Sequence, residues 1–181
     1  DDKPEKFLKH LKQYGLTEKI GLPIKGEGKP TFYYPGKPGW SKISLEWMSW
    51  GYGIAITPLQ TLTLYNAVAN NGVMVKPQFI KELRKENRIK KTVKTEILNP
   101  QIASPETIKK LKKVLENVVV KGTASTIYSP NFSMAGKTGT AKKFIGKYVN
   151  EKGDTIPAGY SNKRYVASFA GFFPADVPKY S

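Results

Sequence analysis

Apolar positions recur at helical spacing in three stretches of the chain. Phe7, Leu8 and Leu11 form one stripe, so residues 4–14 are predicted to be a helix, with Asp2 as its N-cap and Gly15 as its stop. Thr57-Pro58 is an N-cap followed by a first-turn proline, and Leu59, Leu62, Tyr65, Val68 and Ala69 then give an apolar face that runs to Asn71-Gly72. Ser104-Pro105 opens the third helix, with Ile108, Leu111, Leu115, Val118 and Val119 on one face and Lys121-Gly122 at its end. Thr123 to Thr126 begins a further short helix. Elsewhere the period is nearer two. Residues 73–80 and 89–98 read as strands joined by a polar segment that turns at Asn87. Met134 to Lys142 and Arg164 to Phe173 read as two more, connected by a hairpin or loop over residues 145–163. Residues 21–39 are a loop rich in Gly, Pro and Lys, and its aromatics Phe32, Tyr33 and Tyr34 are expected to pin it to the body. This mixed order, without internal repeats, predicts an α+β fold: helices packed on a largely antiparallel sheet.

Composition narrows the chemistry. A chain of 181 residues with 39% hydrophobic and 24% charged residues can bury a real core. No run approaches the roughly 20 apolar residues that span a bilayer. Cysteine is absent and His10 is the single histidine, which argues against disulfides, thiolate or His-rich metal sites and histidine-based triads. No metal and no cofactor is predicted. The net charge of +16, from 30 Lys+Arg against 14 Asp+Glu, favours anionic partners. The lysines are nevertheless spread from Lys3 to Lys179, and the densest run, Lys81 to Lys94, contains Glu82 and Glu86. A solvated basic surface fits this better than a nucleic-acid interface, which would need a basic helix or a sheet interleaving cations with aromatics.

One stretch concentrates functional groups: Ser133-Met134-Ala135-Gly136-Lys137-Thr138-Gly139-Thr140-Ala141-Lys142. In an extended strand Lys137, Gly139 and Ala141 point one way, and Thr138, Thr140 and Lys142 the other. Gly139 would let a ligand's backbone lie flat against the strand, with hydroxyls and an ammonium available to a carboxylate. The same pattern also fits a glycine-rich strand that makes room for a neighbour, and these residues alone leave both readings open. Upstream, Trp50-Gly51-Tyr52-Gly53 lacks the third glycine and the preceding strand of a phosphate loop. A buried helix entrance is the reading preferred there.

Three segments carry a resemblance by their order and spacing: Trp50-Gly51-Tyr52-Gly53 with Thr57-Pro58-Leu59-Gln60, then Gly122-Thr123-Ala124, then Gly136 to Lys142. Together with Val166-Ala167-Ser168-Phe169-Ala170-Gly171-Phe172-Phe173-Pro174, they closely resemble the transpeptidase domain of class B high-molecular-weight penicillin-binding proteins. The resemblance implies the penicillin-binding-protein/serine β-lactamase-like fold. It also implies peptidoglycan D,D-transpeptidation, in which a serine in Ser-x-x-Lys is acylated by a D-Ala-D-Ala stem peptide and released by an amine. Lys137 would then join the proton-transfer and electrostatic network. Thr138, Gly139 and Thr140 would bind substrate, with the Thr140 hydroxyl on its carboxylate and the Thr140 backbone N–H forming half of an oxyanion hole. Stem peptides, β-lactams and proteins of the division or elongation machinery would be the partners, and an anchor would hold the domain outside the cytoplasmic membrane.

One departure stands out: Ser-x-x-Lys occurs nowhere in the chain. Ser129-Pro130-Asn131 spells Ser-x-Asn, but it lies too close to Lys137 and is expected to be a turn. The nucleophile and the true Ser-x-Asn are therefore expected before Asp1, and a last strand and helix after Ser181. That makes residues 1–181 a partial transpeptidase domain. Rival readings are a D,D-carboxypeptidase or serine β-lactamase, a non-catalytic homologue, and, more remotely, a basic nucleic-acid-binding module.

Overall fold

The computed structural model describes residues 3–181, so the proposed Asp2 cap lies outside the described residues. Helix α1 (Lys3–Gln13) buries Leu8, and Gly15, at φ 69°, ends it. The loop that follows contains a two-residue strand, β1 (Thr31–Phe32), paired with β2 (Ile54–Ala55). Between them lies a short helix, α2 (Ser44–Ser49), that the apolar pattern does not announce.

Helix α3 (Pro58–Ala69) begins where the sequence places it. The Thr57 hydroxyl accepts the Gln60 backbone N–H at 3.1 Å, and Gln60 Oε1 accepts the Thr57 backbone N–H at 2.9 Å. Its buried side differs from the expected one. Gln60, Thr63, Ala67, Val68 and Ala69 are buried, whereas Leu59, Leu62 and Tyr65 are half-buried. The helix is apolar on most sides, so the leucines could not tell the inward face from the others.

The expected pair of strands at 73–80 and 89–98 resolves into four shorter ones. Strand β3 (Met74–Val75) pairs with β6 (Ile97–Asn99). The polar segment between them folds as its own hairpin, β4 (Glu82–Lys85) with β5 (Arg88–Thr92), turning at Glu86 and Asn87, both at positive φ. Helix α4 (Pro105–Lys121) is capped by the Ser104 hydroxyl and buries Ile108, Leu115 and Val119. A single 3₁₀ turn (Ser125–Ile127) follows it.

The two long strands, β7 (Ala135–Ile145) and β10 (Gly159–Phe172), form an antiparallel ladder, with the small pair β8 (Tyr148–Val149) and β9 (Thr155–Ile156) in the connection between them. The core gathers Val68 and Ala69 of α3, Leu115 of α4, and Ala135 and Phe172 at the joined ends of β7 and β10, with Ala175 just beyond. Lys112 ties the two helices together: its ammonium donates to the Ala69 carbonyl and to Asn71 Oδ1, both at 2.9 Å, and burial lowers its pKa. A cation on those carbonyls also complements the C-terminal end of α3. The result is an α+β arrangement, with antiparallel strands flanked by helices.

Candidate active-site strand

Strand β7 is clamped at its start and exposed beyond it. Ala135 and Gly136 are buried, and a Cβ at Gly136 would sit 2.7 Å from the Ala170 carbonyl oxygen and run into the Phe169 ring. From Lys137 onward the strand carries exposed and half-buried residues. Its register sets Lys137 opposite Ala170, Thr138 opposite Phe169, Gly139 opposite Ser168 and Thr140 opposite Ala167. Among the described residues, β10 is its single strand partner, which leaves the other edge unpaired.

The side chains cluster more tightly than alternation suggests. Lys137 leaves the strand on the face opposite Thr138, yet its ammonium curls back to the Thr138 carbonyl at 2.8 Å and to the Thr138 hydroxyl at 3.2 Å. The Thr138 hydroxyl shares a 2.8 Å hydrogen bond with the Thr123 hydroxyl. The structure therefore joins an ammonium and two hydroxyls in one chain of hydrogen bonds. Thr123 stood in the sequence as part of a motif without a role; its position in the turn after α4 brings it here. The Thr140 hydroxyl has no partner among the described residues.

Gly139 turns out to serve the ladder. A Cβ there would stand 2.6 Å from Ser168 Oγ, so the absent side chain makes room for the cross-strand serine. Ser129-Pro130-Asn131 is a turn, as expected, with the Asn131 N–H donating to Ser129 Oγ at 3.2 Å. Ser133 faces away from the cluster: its hydroxyl donates to Asp176 at 3.1 Å and accepts the Ala175 N–H at 3.0 Å.

The reading of Trp50 to Gly53 as a buried helix entrance needs correction. Trp50 is 83% exposed, and with Glu46, Trp47, Tyr52, Lys142 and Tyr160 it lines a cavity of about 440 Å³. Tyr52 meets Trp47 and Tyr160 edge-on, at ring distances of 5.6 and 5.3 Å. Lys142 lies two residues past Thr140 on the same face of β7, and its ammonium donates to Asn162 Oδ1 at 2.9 Å. An aromatic pocket thus adjoins the hydroxyl-bearing part of the strand. The density of Trp47, Trp50 and Tyr52 around the two glycines was the signal for it. Gly51 and Gly53, at φ 85° and 67°, let the chain turn there without strain.

The structure thus sets an open strand edge with a cation and hydroxyls beside an aromatic pocket, on an α+β domain. Residues 3–181 match the family described as penicillin binding protein transpeptidase domain, and the chain belongs to that family. Stage V sporulation protein D of Bacillus subtilis is 32% identical over 177 residues, covering 96% of this chain and 25% of that protein. Peptidoglycan D,D-transpeptidase FtsI of Buchnera aphidicola subsp. Schizaphis graminum is 29% identical, covering 93% of this chain and 26% of that protein. The apo crystal structure of penicillin binding protein 3 from Mycobacterium tuberculosis superimposes with a TM-score of 0.77 at 29% identity, covering 98% of this chain and 39% of that one. The same protein has been solved with aztreonam and with ampicillin. The chain thus spans about a quarter of the length of these curated relatives.

Proposed function

We propose that residues 1–181 form the carboxylate-binding wall of a peptidoglycan D,D-transpeptidase, with the nucleophilic serine supplied by sequence outside them. The observation that carries this reading is the hydrogen-bonded chain from the Lys137 ammonium through Thr138 to Thr123 on the unpaired edge of β7. A stem peptide ending in D-Ala-D-Ala would lie along that edge. Thr140 would donate its hydroxyl to the terminal carboxylate and its backbone N–H to the developing oxyanion. Lys137 would supply positive potential and a route for protons, and Thr138 and Gly139 would line the groove. A β-lactam would occupy the same place, with its apolar body toward Trp50, Tyr52 and Tyr160. Relatives named peptidoglycan D,D-transpeptidase support a parent enzyme of cell-wall synthesis, which would be anchored and act outside the cytoplasmic membrane in a division or elongation complex.

The test is Thr140→Val in the complete enzyme, followed by acylation with a carboxylate-bearing β-lactam. Loss of one charge-assisted hydrogen bond predicts acylation slower by roughly ten- to a hundredfold. Unchanged acylation kinetics would remove Thr140 from the role. The 181-residue chain itself should show no covalent adduct in intact-mass analysis after β-lactam incubation, because it has no Ser-x-x-Lys; a stoichiometric adduct on one of its serines would overturn the division of labour.

A further inference from the structure

The β4–β5 hairpin has no part in the site above, and its composition is not explained by folding. Every residue from Leu83 to Thr92 is exposed, and the hairpin pairs with itself. Its register sets Lys85 directly opposite Arg88, an arrangement of like charges that costs stability. Lys91 lies opposite Leu83, on the face that Lys85 and Arg88 share, and Lys90 is the extra residue at the register shift. Lys85, Arg88, Lys90 and Lys91 have no side-chain partner among the described residues, whereas Arg84 is paired with Glu82. Lys81 and Lys94 add two more cations at the base of the hairpin.

The apolar residues decide what kind of anion fits. Phe79, Ile80, Leu83 and Ile89 are 54%, 49%, 50% and 55% exposed; Leu83 shares the face of Lys85, Arg88 and Lys91, and Ile89 lies opposite Arg84 on the other. A hydrophilic polyanion would engage the cations and leave four large apolar side chains in water. A bilayer surface with acidic headgroups takes both, since apolar side chains enter the headgroup region while the cations meet phosphates. The tight turn at Glu86-Asn87 keeps the two strands in register, so little ordering is needed on contact.

We propose that the β4–β5 hairpin is a docking element for an anionic lipid surface, independent of the transpeptidase reading. The experiment is co-sedimentation of the full chain with vesicles of phosphatidylcholine alone, and of phosphatidylcholine with phosphatidylglycerol. Binding is expected on the acidic vesicles only, weakening as salt rises. Replacing Lys85, Arg88, Lys90 and Lys91 together by Gln should weaken it by roughly a hundredfold or more. The matched variant, with Lys25, Lys29, Lys37 and Lys42 replaced by Gln, removes the same charge from the 21–42 region and should bind as the parent does. Equal loss in the two variants would show a response to net charge and overturn the proposal. Leu83→Ser with Ile89→Ser should weaken vesicle binding several-fold while leaving binding to soluble polyphosphate unchanged. Vesicle binding unaffected by that pair would overturn the membrane assignment in favour of a soluble polyanion.

Discussion

Replacing Gln60 by Leu should cost the chain about 2–4 kcal/mol. Gln60 is buried, and its side chain is used at both ends. Its Nε2 donates to the carbonyls of Glu18 at 2.8 Å, Leu16 at 3.2 Å and Gly15 at 3.4 Å, and so holds the turn after α1 against α3. Its Oε1 accepts the Thr57 N–H and closes the capping box. Leucine fills a similar volume and makes none of these bonds. A buried acceptor left unpaired costs about 1–3 kcal/mol, and the lost capping bond about 1 kcal/mol more. For a chain of this size each kcal/mol lowers the melting temperature by roughly 2–4 °C, so a drop of about 5–15 °C is expected in a thermal melt. Gln60→Glu separates the donor from the volume. Its carboxylate would face carbonyl oxygens, which favours the protonated form and raises its pKa in the folded state above the usual value of about 4.3. The deficit is therefore largest at neutral pH and shrinks as pH falls through that raised value, whereas the Leu variant shows no such recovery. A Gln60→Leu protein within about 1 kcal/mol of the parent, or identical pH profiles for the two variants, would refute the assigned bonds.

Three further expectations follow from the same geometry. Gly139→Ala should destabilise by about 1–3 kcal/mol in chemical denaturation, because its Cβ meets Ser168 Oγ at 2.6 Å, and Ser168→Gly in the same chain should restore most of the loss. Failure of that rescue would return Gly139 to a ligand-facing role alone. Thr123→Val removes a hydroxyl that touches no substrate in the proposed pose; acylation of the complete enzyme should slow by roughly three- to tenfold, Thr123→Ser should recover it, and stability should move by about 1 kcal/mol or less. For Glu27, burial pushes the pKa up, but N–H groups of Leu22, Ile20 and Gly21, with Lys19 nearby, outweigh it and leave the carboxyl below its ordinary value of 4.5. Its hold on the backbone of residues 20–22 is thus complete above 4.5 and lost as pH falls through the lower folded value, so acid proteolysis there should set in for the parent and be pH-independent for Glu27→Gln.

The helices were the most legible part of the sequence, because capping chemistry is local. Thr57-Pro58 and Ser104-Pro105 mark their starts without reference to anything distant. The long strands were visible in part: Met134 to Lys142 read as the first and the aromatic run from Arg164 to Phe173 as the second, whereas β7 continues to Ile145 and β10 already begins at Gly159, inside the expected loop. What failed was of two kinds, a local turn and a meeting of distant segments. The 73–98 region alternates well enough for two strands, but only the turn geometry at Glu86-Asn87 makes its middle a hairpin in its own right. The sequence pointed to Lys137, Thr138 and Thr140, and the structure joins the first two in one hydrogen-bonded cluster. The aromatic pocket was not legible, since Trp50 and Tyr52 meet Lys142 and Tyr160 across about a hundred residues of chain.

The clamped base of β7 and its free edge explain each other. Glycine at 136 allows Phe169 and the Ala170 carbonyl to close on the strand, so its first residues belong to the core. That fixes the position of everything after them, and the strand can leave its other edge open without losing its course. Lys137 then uses two of the three donor directions of an ammonium on Thr138, which holds the side chain beside the edge instead of trailing in solvent. Thr123 holds the Thr138 hydroxyl from the far side. One ammonium direction and the Thr140 hydroxyl have no partner among the described residues, and on the proposed function an incoming carboxylate would take them. Binding there would break none of the internal bonds, so the ordering of the wall would already have been done by the fold. Gly139 contributes by letting Ser168 sit in the ladder, which keeps the strand flat where a ligand's backbone would run. The structure bears out the packing reading of this glycine-rich strand, since the ladder face demands the glycines; on the proposed function the open edge would use the course they permit.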